Sequence, residues 1–496
     1  MIVSIMIAIN LITCPSGPHR PACTHLNFKR KTINLIIHPL GIFHVIEAQH
    51  DAIQDATISL NSEIYRRVTS FEAQHENVDV VLEELPKAGN ERELVIERLR
   101  AELMAGKGAD VMILPSSSRW VIPGVEIFFG APLIADVNQA MHNGAFTDIS
   151  EYYDSDTELD KEGLQNTVMD AGKVGDARYA LPLRFNYPVI CVDKERALEN
   201  GLELSLFEQD VITIMDTLSQ LEDKRITASL SALRDRDFAL NYFSDLLDYQ
   251  NQEILLSQEE LTSFMRSYQS YRVSYSTKYP WAPVISQMPA IFNYAEEESG
   301  LYWDDAGGFM QVVDLDYVIQ TASMASAMGI DMGIYPLRAT DGSVVANVTY
   351  YGAVGAGSKN PELAYEFLSY CLSPDVQWEK NRDAHGILNA RLIGEGWPVR
   401  AKGAVPYLSY NIYKQLAGFG DVDKQNLSRL DLLTKTDEDI PVAEITIDKA
   451  RFPVPLGDEL IAAMDSLYET ITVSSVEPET AATQFIEELE WHLGEG

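Results

Sequence analysis

The chain has 496 residues, 46% of them hydrophobic and 9% aromatic, a balance that excludes a disordered polypeptide and leaves room for more than one core. Its 74 acids against 38 basic residues give a formal charge of −36. So acidic a chain repels phosphate backbones and anionic lipid, which excludes nucleic acid as a partner and favours a soluble monomer.

Residues 1–13, MIVSIMIAINLIT, are apolar up to Cys14. That length suits the core of a signal peptide and is too short to span a bilayer. Residues 15–56 mix Pro, His and Arg without a period and read as a poorly ordered lead-in. His38, His44 and His50 lie six apart, which fits neither a helix face nor a usual metal motif. Order is expected from Thr57. A short strand at 56–60 meets Asn61 and Ser62, good helix N-caps, and Ile64, Val68 and Phe71 follow at helical spacing. VDVVL (78–82) reads as a buried strand. Val95, Leu99 and Leu103 mark a second helix closed by Gly106 and Gly108, and VMIL (111–114) is a strand stopped by Pro115. This alternation predicts a parallel sheet, whose ligands sit at the carboxyl ends of its strands.

Residues 205–275 read as mostly helical, with Ser257 and Glu260 as a capping box before Leu261, Phe264 and Tyr268. An aromatic, loop-rich segment follows through Tyr279, Trp281, Tyr294, Tyr302 and Trp303. Strand character returns at 329–335 and 344–354, and Asn360–Pro361 opens a helix carrying Ala364, Phe367 and Cys371 on one face. The α/β pattern therefore resumes after an insertion, as in lobes built from non-contiguous segments.

Catalytic signatures are missing. GAVGAGSKN (352–360) and AGKGAD (105–110) both lack the order of a phosphate loop, and no GxSxG or HExxH occurs. DSDTELDKEGL (154–164) alternates acids like a calcium loop, yet Leu159 stands where that loop needs glycine. The four cysteines, Cys14, Cys23, Cys191 and Cys371, form no CxxC pair. Cys191 and Cys371 sit in apolar contexts and are expected to be buried. No metal or other cofactor is called for.

Five segments in order resemble the family 1 extracellular solute-binding proteins, the sugar-type receptors of bacterial ABC importers. They are SEIYRRVTSFEAQHENVDVVLE (62–83), ERLRAELMAGKGADVMIL (97–114), APLIADVNQAMHNGAFTDISEYY (131–153), RYALPLRFNYPVICVDKERALENGL (178–202) and TDGSVVANVTYYGAVGAGSKNPELAYEFLSYCLSPDVQ (340–377). The resemblance implies a two-lobed α/β fold of the periplasmic-binding-protein type, closing by a hinge over a solute. It also implies a lipid anchor at Cys14, an extracytoplasmic location, and delivery to a membrane permease, with no catalysis. Lobe one is expected to hold 57–185 and 336–378, and lobe two 186–335 and 379–496, after a signal-like lead-in at 1–56.

A sugar needs aromatic faces for its CH surface and polar groups for its hydroxyls. The expected contacts lie where strands end or lobes cross: Trp120, Arg184, Asn186, Tyr187, Tyr350 and Tyr351, with Tyr279, Trp281, Tyr302, Trp303 and Asp304 from the aromatic loops. The cargo expected is an oligosaccharide. A peptide, polyamine or sugar phosphate on the same fold is the alternative, and a glycosidase would need two carboxylates facing one cleft.

Overall fold

The computed structural model describes residues 31–37, 67–75, 77–85, 90–116, 119–122, 125–128, 132–221, 227–230, 233, 238–278, 308–315, 318, 325, 330–377, 396–400, 446–467 and 475–494. Its larger sheet runs Trp397–Pro398, Ala180–Asn186, Val345–Val354, Val111–Pro115, Lys31–Ile37, Val78–Glu84, with Lys449–Arg451 paired parallel to the start of Val345–Val354. The strand Lys31–Ile37 lies inside the stretch expected to be a lead-in. It is parallel to Val78–Glu84 along its whole length, Lys31 opposite Val78 and Ile37 opposite Glu84, and to Val111–Pro115 on its other side. KTINLII forms a strand there because its apolar residues are needed between two neighbours: Leu35 is fully buried. The short run carries no period, so only its pairing partners reveal it.

The helix Asn90–Met104 forms as its apolar spacing requires, burying Ile96 and Leu99, and Gly106 ends it in the left-handed region at φ 64°. Asp110, 6% exposed, explains both glycine-bearing motifs that follow. One carboxylate oxygen accepts from the backbone and side-chain nitrogens of Asn34, at 3.0 and 3.1 Å. The other accepts from the Ser358 hydroxyl at 2.6 Å and the Lys359 amide at 3.3 Å. The glycines of GAVGAGSKN let two backbones meet: a Cβ at Gly355 would lie 2.3 Å from the Ala109 carbonyl oxygen, and one at Gly357 2.1 Å from that of Gly106.

A second sheet runs Thr227–Ser229, Gly308–Asp314, Pro188–Asp193, Met332–Pro336. Ile190, Val192, Met310 and Val312 on it share a core with Phe264 and Tyr268 of the helix Gln258–Lys278 and with Phe485 and Leu489 of the helix Pro478–Gly494. The segment 205–275 is more mixed than expected. It holds the helices Val211–Ser219 and Gln258–Lys278 but also the hairpin Leu247–Asp248 with Glu253–Ile254. Ser257 caps Glu260 from its hydroxyl at 3.1 Å, while the Glu260 carboxylate turns away to accept from the Thr340 hydroxyl.

Three described segments pass between the sheets. Asn186 to Pro188 leads from the first to the second, residues 337–344 lead back, and 452–456 lead from Lys449–Arg451 to the helix Gly457–Ser466. Across these crossings, Asn241 donates to the Val345 carbonyl at 3.0 Å, and the Asp448 carboxylate accepts from the Val344 amide at 2.8 Å. Trp397–Pro398 and Lys449–Arg451 thus belong to the first sheet, although they fall in the stretch assigned to lobe two. Each is too short to show a period.

With 36 net negative charges on one chain, repulsion opposes the compact state and salt screens it. The midpoint of thermal unfolding should rise by several degrees from low to high sodium chloride, as read by scanning calorimetry.

Candidate functional site

Strand directions define where the lobes face each other. Ala180–Asn186 ends at a crossing, and Val111–Pro115 runs the same way, since both are antiparallel to Val345–Val354. The parallel strands Lys31–Ile37 and Val78–Glu84 therefore also end at this edge. In the second sheet Asp314 pairs with Pro188, and Thr227–Ser229 is parallel to Gly308–Asp314. Its strands Thr227–Ser229 and Gly308–Asp314 therefore end toward the crossings as well. Carboxyl strand ends from two sheets converging on one crevice make the usual ligand position of open α/β folds.

At the first lobe's edge, Ser116 leaves the Val111–Pro115 strand, donating its amide to the Thr349 carbonyl at 3.0 Å and its hydroxyl to that of Val348. The hairpin Arg119–Ile122 with Val125–Phe128 follows, Trp120 opposite Ile127. Trp120 is thus placed at this edge by its backbone, its side chain lying outside the described residues.

Arg184 and Asn186 stand on the crossing strand, opposite Tyr350 and Asn347, and both are buried, at 1% and 4% exposure. The Asn186 side-chain oxygen accepts from the Tyr187 amide at 3.1 Å. Tyr187 is stacked on Phe185, ring centroids 6.3 Å apart, and burial pushes its phenol far above the ordinary range. Tyr350 is nearly buried. Tyr351 is wholly so, packed edge-on against Phe452 at 5.2 Å and tilted to Phe146 at 6.2 Å. The structure therefore sets Arg184, Asn186 and Tyr187 at the end of the crossing strand, with Tyr350 opposite Arg184, and packs Tyr187, Tyr350 and Tyr351 in the first core.

Tyr279, Trp281, Tyr302, Trp303 and Asp304 lie outside the described residues, as does Cys14.

Two residues that sequence reasoning passed over stand at this crossing. Asp314 ends its strand directly opposite Pro188, and the half-buried Trp397 pairs with Phe185, one residue before Asn186. Gly396 before it has φ 97°, and a Cβ there would lie 2.8 Å from the Phe185 carbonyl oxygen. A lone Gly-Trp-Pro in a polar stretch was the available signal.

No family model matches this sequence, and no curated protein matches it. Solved structures do. A family 1 extracellular solute-binding protein from Alicyclobacillus acidocaldarius aligns at a TM-score of 0.50 over 94% of this chain and 98% of its own, with 12% identity. A periplasmic oligogalacturonide-binding protein from Yersinia enterocolitica aligns at 0.50 over 93% and 99%, with 13% identity. The fold is that of the extracellular solute-binding proteins. A de novo designed cysteine esterase aligns at 0.54 over 94% of this chain and 99% of its own, with 13% identity, so this fold does not by itself decide between binding and catalysis.

The solute-binding fold here hides both of its described thiols. Cys191 and Cys371 are 0% and 1% exposed, and burial pushes the Cys371 thiol up to about 12 and that of Cys191 higher still. Neither is a nucleophile in the crevice. Among the described residues no three His, Cys, Asp or Glu side chains gather as metal ligands.

Proposed function

We propose that this chain is the extracytoplasmic solute-binding subunit of an ABC importer, capturing an oligosaccharide between its lobes and handing it to a membrane permease. One observation carries the reading: strand ends of two separate sheets converge on a crevice spanned by three crossings, with Arg184, Asn186, Tyr187, Tyr350 and Trp397 around one of them. Such crossings let two rigid lobes rotate about a few backbone torsions, so that a solute is enclosed without unfolding either core. The half-buried Trp397 at this edge suits the CH face of a polyhydroxylated ring. Trp120 and the aromatic segment 279–304 are proposed to complete the enclosure, and Cys14 to carry a lipid anchor. The chain acts as a monomer, because closure needs one copy only.

Thermal unfolding of the purified chain against oligosaccharides, polyamines, peptides and sugar phosphates tests this. A ligand at 100 times its dissociation constant stabilises the folded state by about 2.7 kcal/mol, a visible shift. The expected result is a shift with one glycan class and no new sugar product by chromatography. A shift accompanied by product would make the protein an enzyme, and a shift confined to cations or peptides would change the cargo.

A further inference from the structure

A second contact joins the lobes beside the third crossing, at 452–456. The short helix Val137–His142 buries Val137 and Met141 in the first core, whereas the helix Pro478–Gly494 and the hairpin bearing Tyr249 pack on the second. Asp136, at the junction, divides its carboxylate between the two. Its Oδ1 caps its own helix, accepting from the amides of Asn138 at 2.8 Å and Gln139 at 3.1 Å. Its Oδ2 serves the other lobe, accepting from the Tyr249 hydroxyl at 2.6 Å and meeting His492 Nε2 at 2.8 Å. The Gln139 side chain donates to the His492 carbonyl at 3.2 Å, and that of Asn138 to the Phe452 carbonyl at 3.3 Å. His142 closes the cluster, its ring 5.8 Å from that of Tyr249. Asp136 is buried, at 6% exposure, and His492 nearly so, at 9%. Burial and the Asp136 carboxylate hold the Tyr249 phenol firmly protonated, as a donor must be.

We propose that Asp136, Tyr249 and His492 form a latch that holds the lobes together in the ligand-free chain. Hydrogen bonds to a buried carboxylate are the stronger kind, and here they end on elements that belong to different cores. An opening that draws the hairpin and the helix Pro478–Gly494 off Asp136 breaks them and leaves its Oδ2 to water. The latch therefore biases the equilibrium between open and closed forms without touching a solute, and any solute's affinity carries that bias. It needs no ligand to operate, so it stands or falls apart from the transport reading.

Small-angle scattering of the full ligand-free chain tests it, on wild type, Tyr249→Phe, His492→Gln and the double variant. Tyr365→Phe is the control, since it removes a hydroxyl that donates to Asp156 at 2.9 Å inside lobe one. The wild type should be compact, with a radius of gyration of about 23 Å, and the latch variants larger by about 1 Å. Each should still unfold cooperatively, and the control should keep the wild-type radius. An unchanged radius in folded latch variants would overturn the proposal. So would an equal increase in the control, which would mean general loosening. If the double variant fails to fold, the two single variants decide.

Discussion

Replacing Asp110 with alanine should lower stability by about 3 kcal/mol, shifting the urea midpoint without altering the slope. The residue holds four donors from two distant segments: both nitrogens of Asn34, the Ser358 hydroxyl and the Lys359 amide. Alanine strands those donors beside a buried site, and water has poor access to a group 6% exposed. The parallel pairing of Lys31–Ile37 with Val111–Pro115 begins one residue after Asp110, so the loss should be felt in the first sheet. Ser358→Ala removes one of the four donors and should cost about 1 kcal/mol. If Asp110→Ala costs no more than that, the carboxylate is not the tie between strand and glycine loop.

Much of the first lobe was legible because its helices and buried strands announce themselves by spacing. Val95, Leu99 and Leu103 gave the helix Asn90–Met104, and VDVVL and VMIL gave the strands beside it. The crossing between the strands at 180–186 and 188–193 was legible only through the resemblance of RYALPLRFNYPVICVDKERALENGL (178–202) to the solute-binding proteins. What failed to show were elements whose identity depends on partners. Lys31–Ile37 has an ordinary apolar run among Pro, His and Arg. Trp397–Pro398 and Lys449–Arg451 are too short for a period. The latch is hidden for the same reason: Asp136 and His492 are 356 positions apart, and neither sits in a motif.

Aromatic residues were the least readable part of the site. Tyr187 and Tyr351 are as polar at the tip as any ligand-stacking residue, and nothing local distinguishes them from Tyr350. All three pack in the first core, Tyr351 against Phe146 and Phe452 and Tyr187 on Phe185.

The acidic loop at 154–164 supplies the second large effect, in Arg400→Ala. Its alternating acids resembled a calcium loop, but the structure uses them on the protein itself. Asp156 accepts from the Tyr365 and Ser369 hydroxyls at 2.9 and 2.6 Å, and from the amides of Glu158 and Leu159. Asp160 caps Gly163 and meets the guanidinium of Arg400 at 2.9 Å. Arg400 is 2% exposed and also donates to the Leu372 carbonyl at 3.0 Å, which joins the 396–400 segment to the end of the helix Pro361–Cys371. Asp160 is 62% exposed, so solvent screens that ion pair and it contributes little by itself. The cost comes from the orphaned Leu372 carbonyl and from the space a buried arginine leaves, together about 3 kcal/mol. Arg400→Met, which fills the space and loses only the donors, should recover part of it. Gly163→Ala should mimic the defect, because its Cβ would lie 2.6 Å from Arg400 Nη1 and 2.5 Å from Asp160 Oδ2. Urea unfolding of the three variants checks the order. Equal losses for alanine and methionine would assign the whole effect to the hydrogen bonds, and no loss in Gly163→Ala would show that the loop can give way.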